Sequence, residues 1–387
     1  MNQVNFYMKK QAIMKIKLDP ADKPRDVGEE CYTQKGFILV AVLFLISFLA
    51  LAVAYFSNWV TGQMQVSKQL RKKSEALVEA TSLKADFIFF LLTKGLNHKG
   101  LDLTDKPTPP TGPAQNAQED DAPYISLFNK PYKKNNLTIR VQDEAGLVNL
   151  GRFTKQQFER LFELFEIEPT HFDSLYWKFK DYTKTERAIT KALNGATIED
   201  YKDAGKPEPT NEALRTPFEI KRVLEWDNHE NFYKNSKLFN MITTVNQKPI
   251  NLNTAPKEVL AFIPDLNEEA ITQILTHRKG HNPYFKDINA VANTTGTPLK
   301  RSPLYSSFPG NTQRVTITSI ENNVLNFQFS VTSMPRNKEI PWQINYQIDL
   351  PYEQLKLDDI DGDESEKEKL DKLTLFFDPK DIYSENK

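Results

Sequence analysis

The sequence predicts an α+β fold: one N-terminal helix long enough to cross a membrane, then a small antiparallel sheet with a large, mainly helical block inserted into it. Three observations predict it. The run from Phe37 to Ser67 carries no charged side chain. Alternating apolar and polar residues occur in "LTIRVQDEAGLVNL" and again in "RVTITSI", "NVLNFQFSVTS" and "PWQINYQIDL". Between them, from Phe153 to about Val291, the apolar residues recur at three- and four-residue steps instead.

The elements follow in chain order. A helix needs about 20 apolar residues at about 1.5 Å each to cross a hydrocarbon core about 30 Å thick, and the run beginning at Phe37 is long enough. Residues 1–36 hold seven Lys/Arg and five Asp/Glu, while Lys68, Arg71, Lys72 and Lys73 follow the run, so basic residues flank it on both sides and give little orientation signal. An ordinary signal peptide has an apolar region of about 7–15 residues and a small-residue cut site beyond it. Here the small residue, Gly36, stands directly before the run in "TQKGFILVAVLFLI". A cut between Gly36 and Phe37 would keep the helix rather than discard it. Residues 1–36 therefore read as a cleaved leader and 37–95 as a membrane and spine helix. The helix is expected to continue past the membrane, because Val66, Leu70, Leu77, Thr81, Ala85, Phe89 and Leu92 recur largely at three- or four-residue steps between charged positions.

Residues 96–124, rich in proline and acids, read as a linker or long loop. Residues 125–152 supply the first strands, with Leu137–Val141 expected to pair with Leu147–Leu150 across Asp-Glu-Ala-Gly. The inserted helical domain spans 153–299 and opens with "TKQQFERLFELFEI", where Thr154 caps a helix that presents Phe158, Leu161, Phe162 and Phe165 on one face. Within it, "INLNTAPKEVLAFIPDLNEEAITQILTHRKG" reads as two short helices joined by a tight turn, the first capped by Thr254. Residues 300–350 close the sheet, and 351–387 form a charged tail. In that tail Asp359, Asp361 and Asp363 do not make an EF-type calcium loop, because Gly362 at its sixth position puts Leu357 at the first.

Fifty basic residues against fifty-one acidic ones leave no field to draw nucleic acid or an acidic substrate. The only cysteine, Cys31, precedes the apolar run, so disulfides and Cys-based zinc sites are excluded after it. Of the five histidines, His277 and His281 have a four-residue spacing but no third ligand, and they read as solvated polar residues. Neither a nucleophile elbow, a phosphate-binding glycine loop nor a dinucleotide fingerprint occurs, and no enzyme is expected.

The leader and the apolar run together resemble the class III leader of type IV pilins and type II secretion pseudopilins. That resemblance implies cleavage after Gly36 by a prepilin peptidase and N-methylation of Phe37. Most members carry Glu five residues after the cut, where it pairs with a neighbour's free amine. This chain has Ala41. "INLNTAP" with "EVL", "VQDEAGLVNL", "NGATIEDY" and "LRTPFEIKRVLEW" resemble phrases of the minor pseudopilin K (GspK) family, over about Gly36 to Gln347. The resemblance implies the pseudopilin fold, a single-pass protein of the bacterial inner membrane with its bulk in the periplasm, and a place at the pseudopilus tip. Its expected partners are the minor pseudopilins I, J and H and the major pseudopilin G.

The resemblance also implies calcium in the insert, with Asp181, Glu199 and Asp200 as its ligands here. The family's acidic Asp-Trp-x-Asp-x-Asp stretch is "YWKFKDYT" in this chain, which keeps Trp177 and Asp181 alone. The two-helix unit also resembles the helix-hairpin-helix module, so a membrane-anchored DNA-uptake protein is the alternative reading. Its turn, "IPDLNEE", has no glycine to let backbone amides close on a phosphate and carries three acids, so no nucleic-acid partner is expected.

Overall fold

The computed structural model describes residues 37–103, 124–183, 195–234, 237–246, 249–280, 283–299, 304–319, 325–334, 337 and 339–350. The leader with Gly36, most of the Pro-rich segment, His281 and the charged tail lie outside the described residues. The chain is α+β, as the sequence predicts, and divides into two units, Met1–Val66 and Ser67–Lys387.

Helix α1 (Phe37–Thr93) begins at the residue predicted to follow the cut. It is long and apolar enough to cross a membrane. In the first unit every side chain from Ile38 to Trp59 is exposed, Phe44 by 76%. An aqueous surface of that composition is not stable unless lipid or protein covers it.

In the second unit α1 continues as a helix to Thr93, as its three- and four-residue steps predict, and buries one face. Ala76, Ala80, Leu83, Phe87 and Leu91 form one core with the sheet, whereas Leu70, Leu77 and Phe89 are exposed by 63%, 50% and 54%. Thr81 and Ala85 are exposed as well. Both faces are apolar, and the sheet takes the one with two alanines, where short side chains permit the closest approach to the helix axis.

After α1 come the short strands β1 (Leu96–Asn97), β2 (Gly100–Asp102) and β3 (Tyr124–Ile125), which form a three-stranded sheet. The linker reading of 96–124 is thus wrong at its ends. Next are β4 (Phe128–Lys134) and β5 (Leu137–Asp143), which pair antiparallel through the turn at Asn135. β5 does not pair with 147–150. Glu144–Gly146 and Leu150–Arg152 are 3-10 turns, and Val148 instead bridges to Ile242.

The insert then holds α2 (Lys155–Leu164), α3 (Phe172–Thr183), α4 (Ile198–Asp203) and α5 (Lys237–Met241). They are followed by β6 (Ile250–Asn251), α6 (Lys257–Leu260), α7 (Glu268–His277), α8 (Ile288–Thr295) and β7 (Tyr305–Ser306). The capping box predicted at Thr154 is present, closed by Gln157. A second core fills this block, centred on Trp226, whose ring stacks on Phe232 at 5.0 Å and meets Phe162 and Phe179, each at 5.7 Å. Its indole N–H donates to the Leu175 carbonyl at 3.0 Å, so the buried polar atom is satisfied. The abundance of phenylalanine in the insert is core packing.

The chain returns to the sheet in β8 (Thr312–Ser319), β9 (Asn326–Ser333) and β10 (Trp342–Asp349). The strand order is β10-β9-β8-β5-β4, every neighbour antiparallel. β5 and β8 are thus adjacent in space, while the whole helical block lies between them in sequence. Wherever the block leaves and rejoins the sheet, backbone and polar groups are taken out of water and need partners.

Candidate functional site

That departure point is built from the two stretches that carried the strongest sequence signature. Asp143, the last residue of β5, is fully buried, and both its oxygens are saturated. Oδ1 accepts the amides of Ala145 at 3.0 Å and Gly310 at 3.1 Å. Oδ2 accepts Asn251 Nδ2 at 2.8 Å and the Thr254 hydroxyl at 2.9 Å. Four donors from the end of β5, from "NLNT" and from the entry to β8 therefore converge on one carboxylate. Thr254 does not cap α6, which starts after Pro256 without a side-chain cap; its hydroxyl is spent on Asp143. Gln142 adds a bond from Nε2 to the Thr254 carbonyl at 3.0 Å.

The approach of the two stretches is close enough to demand glycine. A Cβ on Gly146 would stand 2.6 Å from both the carbonyl carbon and Oγ1 of Thr254. Beside it, Glu144 accepts the Thr243 hydroxyl and faces Arg314 Nε at 3.6 Å, both charged side chains being buried. Arg314, on β8, donates to the carbonyls of Phe239 at 2.8 Å and Ile242 at 2.6 Å, the end of α5. Asn253 bonds Phe285 through both its amide and its carbonyl, and also the Ser307 carbonyl. Arg278, just past α7, donates to the carbonyls of Ala255 and Leu252 and lies 4.8 Å over the Phe128 ring. Burial pulls Arg278 down to about 9, which still leaves it charged at neutral pH.

Burial pushes the Asp143 carboxyl up to about 6, against the four hydrogen bonds that favour its ionised form. A folded-state value above the ordinary one means that this group's contribution is fully present below about 4 and is lost as pH rises through about 6. The shift is about two units, or about 3 kcal/mol. The thermal midpoint of the full chain in detergent should therefore fall on going from pH about 4 to about 7 by more than that of Asp143→Asn, which has no carboxyl to titrate there. Parallel profiles for the two proteins would refute this. Chemically the arrangement is a joint: neither oxygen of Asp143 is left to act on a substrate.

The predicted metal residues are not assembled in this way. Asp181, in the last turn of α3, is buried, and its Oδ2 accepts the Ala196 amide at 2.7 Å. Asp200 closes a capping box on Thr197 N at 2.6 Å and Oγ1 at 2.8 Å, and Glu199 beside it is exposed. Among the described residues no group of three His, Cys, Asp or Glu side chains is arranged to hold a metal ion. These three carboxylates by themselves fall short of the about six to eight oxygens that calcium takes. Ala41 is exposed on α1, and Phe37 is that helix's first residue. His277 is not a solvated residue: its ring stacks on Phe285 at 4.2 Å.

The two-helix unit forms as α6 and α7, but the site at which a phosphate would bind is taken. Asn267 Oδ1 accepts the Ala270 amide at 2.8 Å at the start of α7, and Glu268 and Glu269 occupy its first turn. The sequence missed the joint because Asp143 read as part of a turn and Thr254 as a helix cap, so neither pointed to the other. Gly146 was equally absorbed into the Asp-Glu-Ala-Gly turn reading, and only its approach to Thr254 shows why a glycine stands there.

No family model matches the sequence, and no curated protein matches it. Among solved structures the chain is similar to one in the crystal structure of the GspK-GspI-GspJ complex from the enterotoxigenic Escherichia coli type 2 secretion system. The TM-score is 0.46 and the identity 14%, over 76% of this chain and 99% of that one.

Proposed function

We propose that this chain is a minor pseudopilin of the GspK type, acting at the tip of a type II secretion pseudopilus. The observation that carries the reading is α1, a single helix with a fully exposed apolar half and a second half that serves as the backing of an antiparallel sheet. Lipid covers the first half while the subunit waits in the inner membrane, and neighbouring spine helices cover it once the subunit joins a filament. The folded unit from Ser67 onward lies in the periplasm.

The role is mechanical rather than catalytic. The chain joins the I and J minor pseudopilins, primes pseudopilus assembly with them, and caps the filament that drives folded proteins through the outer membrane. Two features support a tip position. The insert adds a second packed core that a stacking subunit would have to clear. Ala41 supplies no carboxylate to neutralise the amine of a subunit already in place, so this chain cannot make the contact that joins a subunit beneath another.

The test is co-expression of the full chain with the I and J pseudopilins encoded by the same organism. A ternary complex recovered through a tag on any one chain is expected. Recovery of I with J but without this chain would refute the assignment.

A further inference from the structure

The basic residues that follow the membrane run serve no purpose described so far. Lys68, Arg71, Lys72 and Lys73 fall within six positions of α1, all exposed, and Glu75 is the first acid after them. Arg71 Nε bonds Glu75 at 2.8 Å, a surface pair of small worth. Four cations against that one acid leave a net charge of +3 over 68–75. Placed on the side of the membrane that holds the folded unit, such a cluster works against the usual placement of Lys and Arg, so a binding role is needed to account for it.

We propose that these four side chains form a collar that binds the phosphate headgroups of anionic phospholipids in the leaflet where α1 leaves the membrane. The inference rests on the membrane-spanning reading of α1 and not on the identity of any partner. Two independent observations point to lipid. The uncharged run ends one residue before Lys68, so these four cations are the first charges that follow the apolar segment. Within the run, Tyr55 and Trp59 stand about 20 residues from Phe37, the depth at which interfacial aromatics gather.

Side chains on a helix lean toward its N-terminus, and long cationic ones extend further to reach polar groups, so the ammonium ends fall back toward the phosphate layer. Lys68, Arg71 and Lys72 lie within about 100° of one another around the helix. The exposed apolar stripe at Leu70 and Leu77 lies elsewhere on it. Lys73 lies about 140° from Lys68, beside that stripe.

The test uses the full chain, purified in mild detergent and offered phosphatidylglycerol and phosphatidylcholine in equal amounts, with bound lipid read by native mass spectrometry. The wild type should retain phosphatidylglycerol over phosphatidylcholine by about tenfold or more. A variant carrying Lys68→Gln, Arg71→Gln, Lys72→Gln and Lys73→Gln should lose that preference with its thermal midpoint unchanged. Equal retention of the two lipids by the wild type, or an undiminished preference in the variant, would overturn the collar. Carbonate extraction of native membranes separates the two levels: wild-type chain left in the membrane is the expected result, and release would overturn the spanning reading and the collar with it.

Discussion

Asp143→Ala is expected to cost the full chain about 3–5 kcal/mol, because it strands four buried donors that now share one carboxylate. Against a total stability of about 5–15 kcal/mol, that is a large fraction. The loss is concentrated where the helical block leaves the sheet, so the two cores should part before either melts fully. Trypsin is expected to cut first after Arg152 and Arg314, the basic residues that flank the joint, and the thermal midpoint should fall on the order of 10 °C. Glu199→Ala, at an exposed carboxylate, should change the midpoint by no more than about 2 °C. If Asp143→Ala melted with the wild type, the joint would not be what couples insert to sheet.

Ile46→Arg combined with Leu49→Arg is expected to abolish membrane insertion. Both side chains are exposed, by 56% and 54%, near the middle of the first twenty residues of α1. Each arginine at the centre of a span costs about 2.5–3.5 kcal/mol on insertion scales, so the pair costs about 5–7 kcal/mol. Carbonate should release the variant while leaving the wild type in the membrane. Because neither side chain belongs to a core, the unit from Ser67 onward should melt as in the wild type. Retention of the double variant in the membrane would show that these residues do not lie in lipid.

The long apolar helix was legible because no charged side chain occurs from Phe37 to Ser67. Which face of its continuation packs against the sheet was not legible, since Leu70, Leu77 and Phe89 form as good a stripe as Ala76, Ala80, Leu83 and Phe87. Only the position of the sheet decides between them. The strand β4 was missed for a related reason. "FNKPYKK" carries a proline and three lysines, which read as loop but are what an unpaired edge strand tolerates, and β4 is an edge of the five-stranded sheet. Capping at Thr154 was readable because its partner, Gln157, lies three residues away. Thr254 looked equally like a cap, but its partner lies 111 residues earlier at Asp143, a separation that local pattern cannot span.

The mass of the mature N-terminal peptide, taken from wild-type chain in native membranes, tests the central claim most directly. The account predicts a chain that starts at a methylated Phe37, and predicts that Gly36→Ala leaves the first thirty-six residues in place while Ala41→Glu is processed normally. A wild-type chain that still carried its leader would contradict the account.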